Sequence, residues 1–158
     1  MLKKTSFDVA DIYERRADML YRIALGILVS PQDAEDAVAE AFASFVSKPQ
    51  SFRDQEHEKA WFIRITVNKC RDLQRRRTLR SHAPIEDAHY VCDENDALSG
   101  LGSVMQDVLS LPEKYKTVIL LHYFEEFSVD EIAQALAIGR SAVKMRLARA
   151  RQMLKDIL

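Results

Sequence analysis

Apolar residues recur at helical spacing along almost the whole chain, and the breaks in that rhythm predict where helices end. Over about 9–29, Tyr13, Ala17, Leu20, Ala24 and Ile27 fall on one stripe. Ser30-Pro31 closes that helix and opens the next. The Ser hydroxyl can accept from a free backbone N–H, and Pro31 fits the first helical position. Asp33 and Glu35 suit the positive end of the helix dipole. The second helix carries Ala34, Ala37, Val38, Ala41, Phe42, Phe45 and Val46 on one face, with Asp33, Asp36 and Glu40 on the other, and ends at Lys48-Pro49-Gln50-Ser51. A polar loop at 52–58 leads into a third helix over about 58–77, which begins with Trp61 and Phe62 and closes on Arg75-Arg76-Arg77.

The rhythm then lapses. Residues 81–103 hold Pro84, Gly100 and Gly102 and predict a linker with at most a short helix near its end. Beyond it, Leu111-Pro112-Glu113 opens a helix to about 125, and Ser128-Val129-Asp130-Glu131 is a capping box, with Phe127 and Ile132 placed for a hydrophobic staple. A short helix to about 136, the turn Ala137-Ile138-Gly139 and a basic helix over 140–158 make a helix-turn-helix pattern. No sustained alternation of period two interrupts these helices. The fold class is all-α.

Projected at 100° per residue, the last helix groups Val143, Leu147, Ala150 and Leu154 on an inward face. Ser141, Met145, Ala148 and Gln152 point the opposite way, flanked by Lys144 and Arg149. Small side chains at that pole let a helix enter a DNA groove while cations at its edges meet phosphates. Arg140, Ser141, Lys144 and Met145 lie near its start, where a recognition helix reaches base edges.

Composition fits this picture and narrows it. The 158 residues are 47% hydrophobic and 30% charged, the balance of one domain or two small ones. No apolar run approaches the roughly 18 residues of a membrane span. Lys3 and Lys4 precede no apolar stretch, so no signal peptide is expected and the chain should remain in the cytosol. The net charge of −1 conceals a strong segregation. Residues 53–80 hold nine basic and four acidic residues, and 138–158 hold six and one, each a net of +5. Residues 81–107 between them carry six acidic residues and neither Lys nor Arg, a net of −6.

Nothing in the sequence has the form of a catalytic or metal site. Cys70 and Cys92 stand in unrelated surroundings with no ligand spacing and read as free thiols. His57, His82, His89 and His122 form no HExxH or i, i+4 pair, and no nucleophile elbow or phosphate-binding glycine loop occurs. No metal, cofactor or small-molecule substrate is expected, and no enzyme activity.

Three segments resemble one family in its own order and spacing. The stretch Asp33-Ala34-Glu35-Asp36-Ala37-Val38-Ala39-Glu40-Ala41-Phe42 resembles the helix by which RNA polymerase sigma factors dock on the polymerase clamp. Ala60-Trp61-Phe62-Ile63-Arg64-Ile65-Thr66-Val67-Asn68, followed by Arg75-Arg76-Arg77, resembles their −10 reading and melting helix. The segment from Leu111 through Arg151 resembles their −35 reading domain, with 143–151 as recognition helix. The size and layout are similar to the extracytoplasmic-function (ECF) group of the sigma-70 family.

The resemblance implies a sigma-2-like domain over 1–80, an acidic flexible linker over 81–103 and a sigma-4-like helix-turn-helix domain over 104–158. It implies promoter-specific initiation of transcription with core RNA polymerase, bound through clamp helices and flap. Asp33, Asp36, Glu40 and Phe42 would bind the polymerase. Arg53, Trp61, Arg64, Asn68, Lys69, Arg71, Arg75, Arg76 and Arg77 would meet the −10 DNA. Arg140, Ser141, Lys144, Met145, Arg146, Arg149 and Arg151 would meet the −35 DNA. The 52–58 loop would capture a base flipped from the −10 element, and the linker would thread a channel built for nucleic acid. An anti-sigma factor, often membrane-anchored in this group, is the implied regulator. One departure stands at the turn, where the family's common Gly-Ile-Ser is replaced by Ala137-Ile138-Gly139. A left-handed residue at Ala137 would be strained where Gly is free.

Blander readings exist for single residues: Trp61 also suits a core anchor, and the triple Arg a solvated helix end. Two whole-chain alternatives make different demands. An operator-binding regulator needs a sensor or dimerisation domain in place of a basic, aromatic N-terminal block. An all-α metal hydrolase built on the Asp33–Glu40 carboxylates needs facing acidic pairs on other helices, and five of the remaining acids fall in the linker instead.

Overall fold

Ser30 sets the first corner. Its Oγ accepts from the Asp33 N–H at 3.3 Å, capping a helix that begins at Pro31. The computed structural model describes residues 8–81 and 102–157, and the described residues form seven α-helices and one π-helical stretch. These are α1 (Val9–Leu28), α2 (Pro31–Ser47), α3 (Gln55–Ser81), α4 (Ser103–Leu109), α5 (Glu113–Ile119), α6 (Val129–Leu136) and α7 (Arg140–Ile157). The π-helical stretch, Leu120–Phe124, continues α5. Most of the acidic spacer lies outside the described residues, as do Cys92, His82, His89 and the N-terminal Lys3 and Lys4.

The N-terminal unit is α1, α2 and α3. The α2 stripe from Ala34 to Phe45 is buried as its spacing requires, but Val46, one residue from the end of the helix, is 61% exposed. On α1 the inward face is centred on Ile12, Leu20, Ile23, Ala24 and Ile27. Tyr13 was expected on that stripe and instead lies outside, its ring against Phe42 at 5.0 Å between centroids. Ile12 fills the core because it has no polar tip to leave in water.

The third helix begins three residues earlier than expected, at Gln55. Asp54 is the cause: its Oδ1 accepts from the His57 N–H at 2.8 Å and its backbone carbonyl from the Glu58 N–H at 3.1 Å. The expected loop therefore shortens, and Glu58 becomes a fully buried carboxylate in the first turn of α3. Arg15 and Arg16 of α1 each reach it at 2.9 Å. Burying that charge is tolerated because two guanidiniums and a helix N-terminus face it.

The C-terminal unit is α4 to α7. Its capping box is complete: Glu131 N–H donates to Ser128 Oγ at 3.1 Å and Ser128 N–H to Glu131 Oε1 at 3.0 Å. Phe127 and Ile132 on either side are both buried. Helix α6 ends in a Schellman motif, with Ile138 N–H reaching Ala133 O at 3.1 Å and Ala137 left-handed at φ 56°. The strained conformation that glycine would take freely is thus adopted by alanine.

The two units share one continuous core, because α1 packs on α5 and its π-helical extension while α3 packs on α6. Gly26 lies against Leu120 at the first contact. A Cβ there would come within 2.5 Å of Leu120 Cδ1.

Candidate nucleic-acid interface

Helix α7 lies on α5 and α6 through Val143, Leu147 and Ala150, all buried, with Leu154 half-buried. Ser141, Lys144, Met145, Ala148, Arg149 and Gln152 are exposed together on the opposite face. The face projected from sequence for DNA is the face turned to solvent. Arg140, at the helix start, is exposed and pairs with Asp130 at 2.5 Å. Arg151 donates to the Tyr123 hydroxyl at 2.8 Å. Arg146 lies between the two faces, half-buried, and its Nη1 is buried with no hydrogen-bond partner among the described residues.

On α3, the expected −10 residues divide. Asn68, Arg75 and Arg76 are exposed, and Lys69 is half-buried. Arg53 is exposed in the preceding loop, its backbone N–H bonded to His57 Nδ1 at 3.1 Å. Trp61 is half-buried among rings, 4.9 Å from Phe62 and 5.9 Å from Phe45 and Phe52. That packing fixes the start of α3 and leaves one part of the indole at the surface.

Arg75 pairs with Asp72 on the same helix at 3.7 Å, while Arg64, Arg71 and Arg77 hold partners on other helices. Arg64 donates to the carbonyls of Gln134 at 2.8 Å and Ala135 at 3.4 Å. Arg71 pairs with Glu113 at 3.2 Å, and Arg77 with Asp33.

On α2, Asp36 is exposed and Glu40 half-buried, on the side away from the core. Phe42 is buried, its ring 4.9 Å from Phe62, so it supports this helix from beneath.

Several residues that organise the site gave little signal in the sequence. Lys116 is 2% exposed and donates from Nζ to the Ile27 carbonyl at 2.7 Å. Its only hint is its place on the apolar stripe with Pro112 and Ile119, where a lysine is out of character. Arg22 and Glu125 pair at 2.9 Å across 103 residues, and the Glu125 hydrogen bond holds the Arg22 guanidinium above its ordinary pKa. The Cys70 thiol is buried and pushed up to about 12, chiefly by loss of hydration, so it stays protonated at neutral pH. No cluster of three or more potential metal ligands occurs among the described residues.

The chain is similar to known proteins along most of its length. The family described as Sigma-70 region 2 matches residues 12–80, and Sigma-70, region 4 matches residues 103–154. The ECF RNA polymerase sigma factor SigW of Bacillus subtilis (strain 168) is 31% identical over 166 residues, covering 96% of this chain and 87% of the relative. SigM of Mycobacterium tuberculosis (strain H37Rv) is 29% identical over 147 residues, covering 93% and 75%. Among solved structures, the sigma factor RpoE in complex with the anti-sigma factor NepR from Bartonella quintana superposes with a TM-score of 0.72 at 20% identity, covering 96% of each chain. CnrH in complex with the cytosolic domain of CnrY gives 0.66 at 22% identity, covering 94% and 86%. The chain belongs to the ECF group of the sigma-70 family of RNA polymerase sigma factors, proteins that bind core polymerase and promoter DNA and initiate transcription at specific promoters.

Proposed function

We propose a division of that task among named residues. The outward face of α7 reads the −35 duplex, with Arg140, Ser141, Lys144 and Met145 at base edges and Arg149 and Arg151 at phosphates. Arg146 supports the helix from its flank and reaches the backbone with its free end. The observation that carries this reading is the clean split of α7, in which every residue of the small and cationic face is exposed while Val143, Leu147 and Ala150 are buried. Such a helix can enter a major groove without leaving the domain core.

The α3 surface meets the −10 element. Asn68, Lys69, Arg75 and Arg76 line the surface of α3 toward the strand, with Arg53 in the preceding loop, and Arg64, Arg71 and Arg77 join once released from partners on other helices. Trp61 offers the exposed part of its ring to a displaced base, and the short 52–54 loop beside it borders the capture site. Asp36 and Glu40 dock on the polymerase clamp, with Asp33 and Phe42 shaping the helix that presents them. Residues 1–80, 81–103 and 104–158 act as reader of the −10 element, tether and reader of the −35 element.

The chain works in the cytoplasm, where the polymerase is, and performs no catalysis of its own. No helix among the described residues is long and apolar enough to cross a membrane. An anti-sigma factor is its natural regulator, a reading supported by the likeness to a sigma factor solved with such a partner. Run-off transcription with core polymerase on fragmented genomic DNA tests the function and yields the promoter. Discrete transcripts that require the chain are expected. Transcription unchanged by its addition would overturn the reading.

A further inference from the structure

Tyr123 stands where helical periodicity would bury it. At α-helical spacing it falls one turn after Ile119 and two after Lys116, both of which are buried. It is nonetheless 52% exposed. The π-helical stretch is the cause. Its wider turn, closed by Glu125 N–H to Leu120 O at 3.0 Å, inserts one extra residue and shifts the side-chain register by one. Tyr123 is thereby turned off the core stripe and toward α7.

Two contacts then fix the ring. His122 packs edge-on against it, with 4.9 Å between centroids and 81° between planes. That imidazole is itself held, since its Nδ1 lies 2.9 Å from Phe127 O, and a carbonyl can only accept. On the α7 side, Arg151 Nε donates to the phenol oxygen at 2.8 Å, with the guanidinium carbon 6.0 Å from the ring centre. Both side chains are exposed, yet each has lost rotamer freedom before any ligand arrives.

The donors left over point to the ligand. The hydroxyl accepts from Arg151 and keeps its own hydrogen to donate, while the guanidinium uses one of its N–H groups and keeps the rest. Among the described residues no carboxylate pairs with Arg151, in contrast to Arg140 with Asp130. On α7, Lys144 and Arg140 each lie within about 20° of Arg151 around the helix axis. The three cations share one edge, and Tyr123 extends that edge onto a second element just before α6. In a helix-turn-helix the first helix crosses the DNA backbone, which places phosphate rather than bases beside this pair.

We propose that Tyr123 is a phosphate-binding and positioning residue of the −35 surface: its hydroxyl orients Arg151 and joins it on a single phosphate of the duplex. The pair rests on the reading of α7 as the −35 helix and adds to it a contact from outside that helix. Contacts to phosphate carry no base information, so the pair sets how α7 sits on the duplex and not which sequence it prefers.

Tyr123→Phe removes the hydroxyl and keeps the ring, and Arg151→Ala removes the cation. Holoenzyme made with each full-length chain is titrated onto the promoter recovered by run-off transcription, in copies that carry a neutral methylphosphonate at one −35 position at a time. Circular dichroism checks that each variant keeps its helix content. One phosphate should stand out, its neutralisation costing the unaltered holoenzyme about tenfold in affinity, as for a hydrogen bond to a charged group. The same neutralisation should cost either variant less than about threefold, because the group it would have met is gone or misdirected. On unmodified DNA, Tyr123→Phe should weaken binding about fivefold and add little on top of Arg151→Ala, since both act on one phosphate. Preference among −35 sequences should not move.

A Tyr123→Phe holoenzyme that binds as tightly as the unaltered one would overturn the pair. Tighter binding would do so too, by showing that the hydroxyl holds Arg151 back from DNA. An unchanged methylphosphonate profile in that variant would reduce Tyr123 to packing against α7. If no form of the chain directs transcription, the −35 reading itself fails, and the pair with it.

Discussion

The Arg77 guanidinium near the end of α3 is paired with the Asp33 carboxylate in the first turn of α2. One ion pair thus ties the basic end of the helix proposed to face DNA to the acidic helix proposed for polymerase docking. Both side chains are partly exposed, at 39% and 23%. The pair should therefore contribute no more than about 1 kcal/mol to stability. Its larger effect is positional, because it fixes where the Arg75–Arg76–Arg77 run leaves the N-terminal unit.

Docking is separable from that pair. Reversing Asp36 and Glu40 together to Arg should abolish co-purification with core polymerase while helix content stays unchanged. The acidic face is solvent-side, and its loss removes no core contact. Asp33→Asn should cost under about 1 kcal/mol and leave co-purification largely intact. Equal retention of polymerase by the doubly reversed chain would remove α2 as the docking surface.

The left-handed residues Val29 and Ala137 give opposite predictions for one substitution. Ala137 is exposed at φ 56°, so Ala137→Gly relieves strain and removes only a solvated methyl. A gain of about 0.5–1 kcal/mol is expected in urea denaturation. Val29 is fully buried at φ 57°. Val29→Gly relieves about 1–2 kcal/mol of backbone strain but gives up about 1.5–3 kcal/mol of burial and leaves a void. Net destabilisation is expected there. A destabilised Ala137→Gly would mean that the turn is held for a reason other than backbone geometry.

The Glu131 carboxyl is held below its ordinary value of 4.5, first by the Ser128 backbone N–H and then, against a smaller opposing effect of burial, by the Ser128 hydroxyl and Lys59. A depressed carboxyl contributes stability that is present above its unfolded value and lost as pH falls through the folded one. With the side chain 39% exposed, that contribution is under about 1 kcal/mol. Glu131→Gln should therefore lower the urea midpoint slightly at pH 7, and the gap should close once pH falls well below 4.5. A gap that persists in acid would assign the loss to packing rather than to charge.

What the sequence revealed and what it hid differ in kind. The α2 stripe, the Ser30 corner, the capping box and the two faces of α7 each follow from periodicity or from a local hydrogen bond, and each has its cause within a few residues. The start of α3 was misplaced because the residues after Asp54 look like polar loop, whereas the cap lies in Asp54 itself and the burial of Glu58 depends on Arg15 and Arg16 some forty positions away. Tyr13 and Val46 carry apolar bulk at the right spacing, but the neighbouring helices do not cover them. Arg64 and Lys116 were hidden most fully. As residues they are ordinary cations on helices, and only the docking of one unit on the other brings them to carbonyls of the opposite unit.

The division of labour along α7 can be decided residue by residue. Lys144 lies one turn from the helix start on the exposed face, and Arg149 is exposed further along the flank. A recognition helix meets base edges with its first turns and phosphates with its edges, so the two cations should fail in different ways. Lys144→Ala should change which −35 sequences are used, costing about 1–3 kcal/mol on the preferred sequence and little on a mismatched one. Arg149→Ala should weaken every sequence about equally and flatten the log–log salt slope by about one unit, because it removes one phosphate contact. The burial of Val143 and Leu147 supports this rotation, since turning the helix by one residue would exchange the two roles. Arg140 is a useful third probe. Its pairing with Asp130 draws it toward α6, so Asp130→Asn should free it for a base edge and raise affinity most on the preferred −35 sequence. Binding of all three variants to a randomised −35 library settles the matter. A shifted preference for Arg149→Ala beside an unchanged one for Lys144→Ala would show that DNA approaches the other edge of the helix.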